Sequence, residues 1–469
     1  MAPAFPPDQA APPARPWPIP WLPAAPARLL LPATIVLAGG LLAVDTLQGS
    51  LLPGFTVAAM AGGWWLLSRS RTRPRPALPQ SLEAWFQRCD QLLLQFDQLQ
   101  GAAAAGLARA ERLERLRRRR GRHQLELAVV GVNLPAPAVQ PVLLEALRGP
   151  LPLALHWAHP LPAASPSWRW AEPFAEADQL LYCLGNGLGG ADLRWLDSLP
   201  EGQPAWLLVP CGSLDQAARA QLELELRAQL PQHFAERLLF WPGGSAQLPA
   251  SLEPMRQQLQ AGGRQLLLAT DRRCLETLHA DWQKELELLR RERLRPLLQR
   301  TQWLVAAAVV VTPLPSLDLL VLAVANGLML QEMARLWGCS WSADQLREAA
   351  IELAKAALAL GVAEWSSQTL LTLMRLEAGS WLVGSALQAL SAAYLTRVVA
   401  LAMADGLALS SGVVEADLAE LRRQAPLLVS RAAVAAQLDW PGFLGQAKDW
   451  LRQGGPAGVA AVPSVGLPS

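Results

Sequence analysis

TPLPSLDLLVLAVANGLMLQEMARLWG, residues 312–338, and GSALQALSAAYLTR, residues 384–397, decide the fold of the C-terminal third. Apolar residues recur there every three to four positions, the spacing that lays one stripe along a helix. Pro313 and Pro315 interrupt the pattern, so Trp303–Val311 and Leu317–Leu330 are expected as two helices around a tight corner. They run about nine and about fourteen residues, both short of the roughly 20 that cross a bilayer. Buried helical packing is the expectation for this region, and insertion into a bilayer as a pore or transport element is the competing one.

Asn326, Met329, Glu332, Met333, Ala334 and Gly338, then Gly361, Val362, Glu364 and Gln368, then Gly384, Gln388 and SAAYLTR at Ser391–Arg397 follow in that order. Together they resemble the YcjF-type helical domain of unknown function. That domain commonly follows a small GTPase domain in bacterial and plastid membrane-associated proteins. The resemblance therefore implies a GTPase-like domain upstream, and it implies little chemistry of its own.

The whole chain leans apolar: 469 residues, 52% hydrophobic and 17% charged. That length allows two or three domains with real cores. A net charge of +2 gives no reason to expect a nucleic-acid partner. Cys89, Cys183, Cys211, Cys274 and Cys339 lie far apart, with neither disulfide-framework nor zinc-site spacing, which fits a reducing compartment. His156, His159, His233 and His279 form no i, i+4 pair, so no metal site is expected.

Residues 1–27 are rich in Pro and Ala and are expected to be a disordered leader. Leu29–Leu47 and Leu51–Leu67 are almost wholly apolar and joined by few residues, which predicts a two-helix transmembrane hairpin over 28–68. Arg15 and Arg28 precede it and Arg69, Arg71, Arg73 and Arg75 follow, so both ends should face the cytoplasm of an inner, plasma or internal membrane. Residues 81–122 read as one basic amphipathic helix that weakens through Gly101 and Gly106. Its cations Arg115, Arg117, Arg118, Arg119, Arg120 and Arg122 suit lipid headgroups, or simply a solvated face.

Residues 123–270 read as alternating strands and helices. QLELAVV, Gln124–Val130, ends at Gly131 as a strand feeding a phosphate loop would. A working loop has the form G-x-x-x-x-G-K-[ST], whose amides and lysine hold phosphate and whose hydroxyl holds magnesium. Here Ala136, Pro137 and Ala138 stand at the Gly, Lys and hydroxyl positions, and Pro135 and Pro137 remove amide donors. No Asp lies between Val139 and Ala177, so the magnesium-organising Asp-x-x-Gly has no candidate. Asp178, opening the next strand, reads as a packing position. After the strand Ala205–Val209, the guanine-reading tetrapeptide is replaced by Pro210, Cys211, Gly212 and Ser213. The glycines of LGNGLGG, Leu184–Gly190, lack the Lys and Ser/Thr of a phosphate site.

Residues 271–300 read as a connecting helix, 301–409 as the helical domain, 410–453 as two further helices, Val413–Leu428 and Ser430–Leu451, and 454–469 as a disordered tail. Asp318, Asn326, Glu332, Glu364, Gln368, Gln388, Tyr394 and Arg397 sit in apolar text and are expected to form a buried polar network. The expected class is thus α/β plus all-α: a membrane hairpin, a degenerate P-loop GTPase-like domain and a helical domain. No catalytic residue, cofactor or metal is expected. The expected function is a membrane-anchored pseudo-GTPase that scaffolds protein partners, with a partner-assisted GTPase as the alternative. The bilayer and unidentified proteins are the expected partners, and homo- or hetero-oligomers are open.

Overall fold

A computed structural model describes residues 79–452 except 102–103, 166, 186, 213, 312–328, 377–383 and 411–417. The expected leader, hairpin and tail, together with Asp318, Asn326 and Ser213, lie outside the described residues. The chain divides into two compact units, with 77–286 in one and 287–469 in the other.

The first unit holds a five-stranded, all-parallel sheet: β1 (Leu125–Val130), β2 (Leu153–Trp157), β3 (Gln179–Cys183), β4 (Ala205–Pro210) and β5 (Leu238–Trp241), in the order β2-β1-β3-β4-β5. Leu127 lies opposite Gln179, Leu181 opposite Trp206, and Leu208 opposite Leu239. The strands are near-continuous apolar runs because helices cover both faces. Side chains alternate between those faces. Leu127, Val129, Leu181, Cys183, Leu208 and Trp241 meet α3 (Gln140–Ala146) and the start of α6 (Glu253–Val311). Ala128, Val130, Leu180, Tyr182, Leu207 and Phe240 meet α4 (Gly190–Asp197) and α5 (Gln216–Gln229). The expected strand–helix alternation is present, with β2 and β5 as strands that the sequence reading did not single out.

The expected single helix over 81–122 is two, α1 (Leu82–Gln100) and α2 (Ala104–Arg119). Ser81 caps α1 by accepting from the Ala84 amide at 3.2 Å. Gly101 ends it at φ +70°, a left-handed conformation that a side chain resists. Trp85 and Phe96 of α1 pack edge-on against His279 and Trp282 of α6. Helix α6 is also longer than the connector expected over 271–300, and it carries Pro296 within it.

The second unit is helical. It comprises the end of α6, then α7 (Met329–Trp337), α8 (Ala343–Ala359), α9 (Val362–Leu376), α10 (Gly384–Ser410), α11 (Leu418–Leu438) and α12 (Trp440–Arg452). Ser342 and Gln345 close a reciprocal cap on α8, the helix start expected at Ser342. The break expected near Val429 lies at Asp439 instead, and α11 runs through Pro426. At the centre is α10, whose small and branched residues Ala392, Ala393, Val398, Val399, Ala400 and Ala404 are fully covered. Among the described residues, Ala386–Leu409 is the one helix long and apolar enough to cross a membrane, and 72% of it is buried inside the protein. A core helix of a bundle gives the same signature.

Candidate functional site

In a doubly wound sheet, ligands bind beyond the carboxyl ends of the strands, where the connections turn to opposite faces. Here that point lies between β1 and β3, since β1 continues to β2 on one side and is flanked by β3 on the other. A cleft of about 280 Å³ opens there, lined by Asn133, Leu134 and Pro135 after β1, Leu184 and Gly185 after β3, Pro210 of β4 and Trp241 of β5. The two segments read as degenerate phosphate and base-reading loops therefore border one space. Among the described residues, no charged side chain lines it.

The chain segments around the cleft approach one another closely. A methyl group on Gly131 would overlap the carbonyl oxygen of Cys183, so the chain leaving β1 lies directly against the end of β3. One added to Gly185 would strike the side-chain amide of Asn133. The Gly131 carbonyl accepts from the Leu161 amide at 2.9 Å, and the Cys211 amide donates to the Trp241 carbonyl at 2.8 Å. Pro137 opens a short 3-10 turn, Pro137–Val139, whose Val139 amide is already spent on the Ala136 carbonyl at 3.0 Å. Gly212 takes φ +50° in the turn after β4. Burial pushes the Cys183 thiol up to about 12, so it is not a thiolate near neutral pH.

Beside the cleft, the Tyr182 hydroxyl donates to Asp192 Oδ1 at 2.8 Å, and Asp192 Oδ2 accepts from the Gly189 amide at 2.9 Å. Burial, reinforced by the Asp192 charge, raises the Tyr182 pKa and keeps it a donor. Asp192 thus fastens the glycine-rich turn to the helix it opens. Sequence reasoning passed over this pair, whose one local signal is an acidic residue three positions after a glycine N-cap.

The arginine run lies at the other end of the strands, and most of it is consumed inside the unit. Arg122 grips Asp178 with two hydrogen bonds, at 2.8 and 2.6 Å. Asp178 also accepts from the Glu126 amide at 2.8 Å. Arg119 pairs with Glu126 at 2.8 Å and Glu176 at 2.6 Å. Arg115 meets Glu172, Arg117 meets Asp90 and Glu114, and Arg120 meets Glu83. Arg118 is exposed. Arg273 of α6 donates to the carbonyls of Ala175 and Ala177 at 2.6 and 2.8 Å. Asp178 is more than a packing position: its side chain, wholly out of water, ties the segment that follows α2 to β1 and to the start of β3.

The polar residues expected as one buried network are dispersed. Glu364, Gln368 and Gln388 are exposed, Glu332 is half-buried, and Tyr394 is fully covered among Trp365, Trp440 and Phe443. Arg397 pairs with Asp439. The reason is helical geometry, since apolar neighbours in sequence do not fix which face a polar residue takes. The half-buried ion pairs of this unit involve other residues. Arg291 bridges Glu287 at 2.8 Å and Asp405 at 2.6 Å, and Glu287 also accepts from Trp337 Nε1 at 3.0 Å. Burial raises the Glu287 pKa against the pull of Arg291. Among the described residues, no group of three or more His, Cys, Asp and Glu could hold a metal ion.

Residues 274–432 match DUF697, a domain of unknown function. The match starts within α6 and ends within α11, so it covers most of the helical unit. No curated protein and no solved structure matches the chain.

Proposed function

We propose that the chain is a membrane-anchored pseudo-GTPase, a scaffold that binds protein partners at the cytoplasmic face of a membrane. In this reading residues 28–68 are the anchor, 123–270 a GTPase-like domain without its chemistry, and 301–409 a YcjF-type helical domain. The observation that carries it is the cleft at the β1/β3 switch point. Its position suits a nucleotide, while its lining offers prolines, leucines and a tryptophan where phosphate needs cations, amides and a hydroxyl. The DUF697 match supports the helical part of the reading.

Isothermal titration of the full chain in detergent with GTP, GDP and ATP, each with magnesium, tests it. No heat of binding is expected up to millimolar nucleotide. Micromolar, magnesium-dependent binding would overturn the pseudo-GTPase and favour a GTPase that borrows groups from a partner.

A further inference from the structure

The cations that sequence nominates for lipid are largely paired within the sheet unit, while another set is left in solvent. Along the end of α6 an exposed stripe runs through Arg293, Pro296, Arg300, Leu304, Ala308 and Val311. These residues recur every three or four positions, so at about 100° per residue they share one side of the helix. Leu304 is 44% and Val311 73% exposed, far above the buried Leu298, Val305 and Val309 on the inner side. Arg293 and Arg300 form no ion pair among the described residues. The stripe is therefore cationic at one end and apolar at the other.

We propose that this stripe docks into one leaflet of an anionic bilayer, with Arg300 at the phosphate level, Arg293 about two turns further out on the aqueous side of the headgroups, and Leu304, Ala308 and Val311 below Arg300. Basic residues followed along the axis by apolar ones match the order of headgroup and acyl chain. At about 1.5 Å per residue the apolar part reaches roughly 10 Å. A hydrocarbon core is about 30 Å thick, so the stripe enters one leaflet without crossing. A protein groove would take the apolar half but has no general need of the two cations beside it. The proposal rests on the membrane-anchored reading and adds a second contact to it.

The test uses the full chain reconstituted in phosphatidylcholine vesicles containing phosphatidylglycerol. An environment-sensitive fluorophore is attached at Leu304→Cys, Val311→Cys or, as a reference, Leu288→Cys, which is 64% exposed on the opposite side of the same helix. Unsubstituted protein sets the background, since four native cysteines are buried and Cys339 is half-buried. Probes at 304 and 311 are expected to be quenched by nitroxides on lipid acyl chains and shielded from aqueous iodide, with the reverse at 288. Arg293→Gln with Arg300→Gln should weaken docking by about fivefold per arginine. Iodide quenching at 304 and 311 equal to that at 288 would overturn the proposal. So would shielding from both quenchers, which would mean a protein partner or a second copy, or lipid quenching indifferent to the two arginines.

Alkaline carbonate extraction separates this from failure of the hairpin reading. Release of the chain from the vesicles would count against the hairpin, yet rebinding to anionic vesicles that needs Arg293 and Arg300 would still support the stripe. Absence of such rebinding would overturn it.

Discussion

Asp178 and Gly131 carry the residue-scale chemistry of the sheet unit. Asp178 has left water entirely and is compensated by the Arg122 fork and one backbone amide. Removing the charge leaves the Arg122 guanidinium only its longer contacts to Glu126 at 3.5 Å and Asp271 at 3.7 Å, so Asp178→Asn should destabilise the protein by roughly 3 kcal/mol in chemical unfolding. Gly131→Ala should cost about 1–3 kcal/mol, because the Cys183 carbonyl it meets belongs to a paired strand and has nowhere to go. Gly185→Ala should cost clearly less, since Asn133 can swing its amide aside. Much at this scale was legible from sequence where chemistry is local. That Pro135 and Pro137 remove amide donors and that Ala138 brings no hydroxyl needs no coordinates to read. What escaped were long-range pairings: nothing near Asp178 in the chain points to Arg122, and nothing near Arg291 points to Asp405.

Among elements, α1 and α6 show how burial sets pH dependence. His279 of α6 packs edge-on against Trp85 of α1, and burial, helped by Arg88, lowers its pKa to about 4 from 6.5. An unfolded His takes up a proton near 6.5, so the unfolded state binds more protons between those values. The stability tied to a neutral His279 is therefore intact above about 6.5, falls as pH drops, and is gone below about 4. His279→Gln should flatten the fall in unfolding midpoint across that window, measured against the unsubstituted chain. Equal pH profiles would refute the assignment. The strands β1, β3 and β4 were readable as short apolar runs, whereas LALHW of β2 carries a histidine and lies among prolines, and LLFW of β5 is only four residues long and ends at Pro242. The division of α1 from α2 hinged on Gly101, a residue that a helix tolerates at about 1 kcal/mol but that here adopts φ +70°.

For the whole molecule, the two units bear on function differently. The first is a parallel sheet covered by helices, with a cleft beyond the carboxyl ends of its strands, and the second matches a family whose role is undefined. The pseudo-GTPase reading makes a demanding prediction. Restoring the loop letters with Ala136→Gly, Pro137→Lys and Ala138→Ser should not restore nucleotide binding. In that reading no Asp between Val139 and Ala177 serves magnesium, Pro210 and Cys211 replace the guanine-reading residues, and Asn133 still lines the cleft against Gly185. Equilibrium dialysis with labelled GTP that found micromolar affinity in this triple variant would mean that only the loop had decayed.

The strand order also governs how this domain emerges from the ribosome. β1, made first, ends up flanked on both sides, and each later strand adds to a neighbour that has already been synthesised. The sheet can grow outward in step with translation, never waiting for a downstream partner, and it reaches its last strand only when β5 appears. A ribosome stalled before Leu238 would leave β4 with an open, apolar margin, and such nascent chains should engage holdase chaperones until the next few residues are added.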